Sequence, residues 1–89
     1  MNDPEIKPQE AATDWHPADV LAALKKRGQS LAGLSVAHGY HPTAAGKALK
    51  RSWPAMEAII AAALDLSPAH IWPTRYDAGG QPISVRMSR

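Results

Sequence analysis

The sequence predicts an all-α domain, a compact bundle of about five short helices, and three observations predict it. Prolines of the helix-opening kind recur at Pro17, Pro54 and Pro68, and glycines stand at helix ends. Large apolar residues recur at helical rather than alternating spacing. The chain has 89 residues, 45% of them apolar and 20% charged, and no cysteine. That length suits one small domain, near the lower limit of what builds an unassisted core. Without cysteine neither a disulfide nor a thiolate metal site is available, so apolar packing must carry the fold.

The first helix opens at Trp15-His16-Pro17, where the missing proline N–H costs nothing. Trp15 and Val20 then stand as N′ and N4 of a hydrophobic staple. Val20, Leu21 and Leu24 form one apolar face, Lys25, Lys26 and Arg27 fill the last turn, and Gly28 supplies the stop. Ser30 caps a second helix whose Leu31 and Leu34 face inward and which ends near His38-Gly39. Pro42 or Thr43 opens a third helix that runs to about Arg51. A fourth begins around Trp53-Pro54, with Met56, Ile59, Ile60, Ala63 and Leu64 at the spacing of an amphipathic face. A short fifth follows Ser67-Pro68, stapled by Leu66 and Ile71 and ended by Trp72-Pro73. Residues 1–13 read as a disordered arm and residues 79–89 as a flexible tail, leaving 14–78 as the folded domain. The alternation Ile83, Val85, Met87 also fits a strand, but a lone strand cannot bury itself.

Charge is unevenly spread. Residues 1–16 carry a net −3, whereas residues 17–76 carry a net +4 from two clusters, Lys25-Lys26-Arg27 and Lys47-Lys50-Arg51, together with Arg75. A compact surface bearing two cationic clusters suits a polyanion, because each neutralised phosphate releases condensed counterions. Several other classes are disfavoured. The longest apolar run, Ala58 to Leu64, is seven residues, against about 20 for a membrane span. The polar, acidic N-terminus is unlike a signal peptide, so a cytoplasmic protein is expected. An enzyme is not expected, since there is no Cys, no suggestive carboxylate pair and no glycine-rich phosphate loop. His38 and His41 straddle Gly39 without a third ligand nearby, so neither a metal nor another cofactor is expected.

The informative stretch is residues 30–51, SLAGLSVAHGYHPTAAGKALKR: a helix, a tight glycine turn, then a helix with a basic outer face. That is the helix-turn-helix arrangement. At 100° per residue, Ala45, Ala48, Leu49 and Ser52 cluster on one side of the third helix, and Thr43, Lys47 and Lys50 fall opposite. Ala44 and Gly46 beside that stripe are small, which lets the helix lie deep in a major groove. Thr43, Ala44 and Lys47 are then expected nearest base edges. Ser30, Lys50, Arg51, Lys25 and His41 are expected at the sugar–phosphate backbone of double-stranded DNA. One helix reads few base pairs, so a second copy on a repeated operator is expected. Trp15, Trp53 and Trp72 each lie at or near a helix-bounding proline, which favours packing over base stacking. The rival reading is a helical protein-interaction module, or an accessory factor to a polymerase or transposase, that reads no operator.

Beyond pattern, Asp14-Trp15-His16-Pro17-Ala18-Asp19-Val20, Leu24-Lys25-Lys26-Arg27, Gly39-Tyr40, Trp53-Pro54 and Ile71-Trp72-Pro73-Thr74-Arg75-Tyr76 resemble the Ner-like DNA-binding regulators of Mu-like phages and their bacterial relatives. The resemblance spans about residues 14–78. It implies a λ-repressor-like fold, operator binding through the major groove and repression of transcription. Its recognition-helix positions correspond to Thr43, Ala44, Lys47, Lys50 and Arg51. The chain departs from that pattern at Ala45, where a larger apolar residue is expected, and at Gly46, which costs a helix interior about 1 kcal/mol relative to alanine.

Overall fold

The computed structural model describes residues 13–83; the expected arm, up to residue 12, and the possible strand beyond Ile83 lie outside them. The described residues form α1 (Pro17–Lys26), α2 (Leu31–Ala37), α3 (Ala44–Lys50), α4 (Pro54–Ala63) and α5 (Pro68–Ile71), then a 3-10 turn over Pro73–Arg75. The all-α expectation holds, with starts and stops close to those the local signals mark. His16 caps α1 by accepting the Ala18 N–H on Nδ1 at 3.0 Å, and Ser30 and Ser67 cap α2 and α5 with their hydroxyls. Gly28 (φ +72°) and Gly39 (φ +83°) adopt the left-handed conformation that ends α1 and turns the chain between α2 and α3. Asp65, also left-handed at φ +59°, does the same after α4 with no glycine to announce it. Its carboxylate meets Arg27 at 3.0 Å, which ties the end of α4 to the end of α1.

The core is built from Val20 and Leu24 of α1, Leu34 of α2, Ala44, Ala45 and Ala48 of α3, Met56, Ile60, Ala61 and Leu64 around α4, then Ile71 and Trp72. Trp15 and Trp53 pack partly buried against it, so all three tryptophans serve the fold. Tyr40 and Trp53 meet edge-to-face at 5.6 Å across the helix-turn-helix. Leu21 departs from the expected face of α1, being 48% exposed. Val20 and Leu24 lie about 40° apart on the helix and fix the inward direction, whereas Leu21 points about 60° further round.

Two ends of the folded chain are sewn together. The Trp15 N–H donates to the Ile71 carbonyl at 2.9 Å. Thr74 donates its N–H at 3.0 Å and its hydroxyl at 2.8 Å to the Asp14 carboxylate. Beyond Tyr76 the described chain turns back on itself. Tyr76 and Pro82 pair as an isolated antiparallel bridge. Asp77 Oδ1 accepts the N–H groups of Gly79 and Gln81, and Gly80 turns the chain at φ +83°. An aspartate closing a turn on the following amides orders residues 77–82.

Candidate nucleic-acid interface

A seven-residue helix with glycine as its third residue has little stability of its own. Helix α3 is held instead by polar groups at both ends. At its start, Ser35 of α2 is fully buried; its hydroxyl donates to Leu31 O and accepts the Ala45 N–H, both at 2.9 Å. That satisfies a helix-end amide which would otherwise be buried without a partner. The preceding turn is closed by His41, whose Nδ1 accepts the Thr43 N–H at 3.2 Å and lies 3.0 Å from the Thr43 hydroxyl.

At its other end, Arg75 reaches in from the 3-10 turn. Its Nη1 donates to Ala48 O at 2.6 Å, to Arg51 O at 3.2 Å and to Glu57 Oε2 at 2.8 Å. Glu57, fully buried in α4, also accepts the Trp53 N–H and the Tyr76 hydroxyl, each at 2.6 Å. The guanidinium sits 5.2 Å from the Trp72 ring centre. Burial, followed by the hydrogen bond to Glu57, raises the Tyr76 hydroxyl far above the usual phenol range. A buried carboxylate with three donors is satisfied, and it fixes the order of the segments around it.

This scaffold turns Thr43, Lys47 and Lys50 outward together, as their spacing predicts, with Arg51 exposed just past the helix end. None of Lys47, Lys50 or Arg51 has an acidic partner among the described residues. Two depressions flank Lys47. One, of about 430 Å³, is lined by Lys47, Arg51, Ser52 and Trp53. The other, of about 290 Å³, is lined by Thr43, Gly46, Lys47 and Lys50.

Ala44 does not join this surface. It is 7% exposed and belongs to the core. It lies about 40° from Ala48 on the helix wheel, and the first turn of α3 is pressed onto α2. It therefore leaves the base-edge set. Ser30, Lys25 and His41 are exposed on other elements, Ser30 at the start of α2, Lys25 in the last turn of α1 and His41 in the turn. Among the described residues no three His, Asp or Glu side chains gather to hold a metal ion, and no helix is long and apolar enough to cross a membrane.

The residues that sequence reasoning missed are Ser35, Glu57 and Arg75. A signal existed for the first two. Ser35 follows Leu31 by four, and Glu57 precedes Ile60 and Ala61 by three and four, so each polar residue falls on an apolar face.

A helix-turn-helix braced from behind and cationic in front defines a DNA-binding domain, and comparison with known proteins agrees. The chain belongs to the family described as "Winged helix-turn-helix DNA-binding", matched over residues 14–88, and within it is Ner-like. It is 57% identical over 70 residues to the "Negative regulator of transcription" of Escherichia phage Mu, covering 79% of this chain and 93% of that protein. It is 49% identical over 63 residues to "Sugar fermentation stimulation protein B" of Escherichia coli K12, covering 71% and 68% of the respective chains. The solution structure of the Mu Ner protein superimposes with a TM-score of 0.66 at 57% identity, covering 74% of this chain and 89% of that one.

Proposed function

We propose that the protein is a sequence-specific transcriptional repressor that acts in the cytoplasm, without catalysis, by laying α3 in the major groove of double-stranded DNA. The observation that carries this reading is the stripe of Thr43, Lys47 and Lys50, exposed without acidic partners on the side of α3 opposite its buried alanines. The likeness to a phage negative regulator supports the sign of the effect. Thr43 and Lys47 stand where base edges pass. Lys50 and Arg51 meet phosphates beside them, with Ser30, Lys25 and His41 contributing backbone contacts from the flanking elements. A helix this short reads only a few base pairs, so two copies occupy half-sites roughly 34 Å apart on one operator.

Mobility shifts at several salt concentrations test the reading. Lys47→Ala is expected to weaken binding to the preferred duplex by about 1–3 kcal/mol. Lys50→Ala is expected to weaken all duplexes alike and lower the salt slope by about one. Wild-type affinity in both variants contradicts the assignment of α3.

A further inference from the structure

Resting on that reading, we propose that Gly46 is a specificity determinant: the missing side chain sets how closely the α3 backbone approaches the base-pair edges. The other small residue at the start of α3, Ala44, is accounted for by core packing. Gly46 is not. Gly28 and Gly39 need positive φ, and a Cβ at Gly33 would crowd the Ser30 hydroxyl at 3.0 Å. A Cβ at Gly46 would meet nothing within 4 Å, and the backbone there is helical. The fold thus has room for alanine and would be more stable with it, because glycine in a helix surrenders more chain entropy. What a Cβ would obstruct lies outside the molecule. Gly46 lines the depression shared with Thr43, Lys47 and Lys50, on the side turned away from the core. A duplex drawn in by the two ammonium groups meets bare backbone beside them.

Depth of insertion matters unequally for two kinds of binding. Base edges are read only at contact, whereas non-specific binding is held by phosphate charge that tolerates an added methyl group. Gly46 therefore contributes to the ratio between them more than to affinity at large.

The test uses the full chain, a duplex selected by it from a random-sequence pool, and a scrambled duplex of equal length. Gly46→Ala is expected to raise the thermal midpoint by about 3 °C. The same variant is expected to bind the selected duplex about tenfold more weakly and the scrambled one less than about threefold more weakly, with the salt slope unchanged. Gly46→Leu, a strong helix former, deepens the specific loss while remaining folded. A lowered midpoint for Gly46→Ala, or equal affinity for the selected duplex, overturns the proposal and leaves the DNA-binding reading intact. A wild-type chain that selects no duplex removes both.

Discussion

The Arg75 guanidinium lies 2.8 Å from the fully buried Glu57 carboxylate, and the same nitrogen holds the Ala48 and Arg51 carbonyls at the end of α3. The 3-10 turn after α5 therefore fixes the helix that faces solvent. Asp14 completes the connection, because Thr74, next to Arg75, gives both its donors to that carboxylate. The paired sequence stretches around Trp15 and Trp72 are thus two halves of one clasp behind α3.

Removing one partner of the buried pair should be costly. Glu57→Gln keeps the shape but removes the near carboxylate of Arg75 and leaves it only Asp14, 4.0 Å from Nε, so a loss of about 3 kcal/mol is expected. Urea denaturation of the variant checks this; an unchanged midpoint would show that Arg75 finds its compensation elsewhere.

Ser35→Ala removes the acceptor of the Ala45 N–H and leaves that amide buried. The expected loss is about 1–3 kcal/mol. Because the change falls at the start of α3, amide exchange should rise at Ala45 more than at the helices of the distal side. Uniform exchange across the domain would contradict a local role for Ser35.

The alkaline limb of stability should depend on Tyr76. Its hydroxyl donates to Glu57, and burial first, then that bond, raises its pKa in the folded state. A raised folded value means the contribution is complete below the unfolded phenol value of about 10 and fades as pH climbs above it. Tyr76→Phe should therefore be less stable than wild type at pH 8, with the gap narrowing above about pH 10. A gap that stays constant across that range contradicts the assignment.

Much of the fold could be read from local signals, since each acts within one turn of chain. Pro17, Pro54 and Pro68 open helices where proline costs least, and Gly28 and Gly39 adopt the positive φ their positions demand. The outward stripe of Thr43, Lys47 and Lys50 follows from helical periodicity alone. What escaped depends on remote partners. Arg75 meets Glu57 from 18 positions away, and Ser35 meets the Ala45 amide from 10. No spacing rule links such positions, although a polar residue on an apolar face hints that a partner exists. Ala44 is ambiguous in sequence for a related reason: a small residue at a helix start suits an open groove or a close helix contact equally. Only the approach of α2 decides.

The most direct test of the central claim, that α3 presents its cationic stripe to a duplex, is an amide chemical-shift titration of the full chain with a duplex it selects. The largest changes are expected at residues 43–51, with smaller ones near Lys25 and Ser30. Changes centred on the exposed side of α4, around Ala58 and Ala62, with residues 43–51 unmoved, would contradict it.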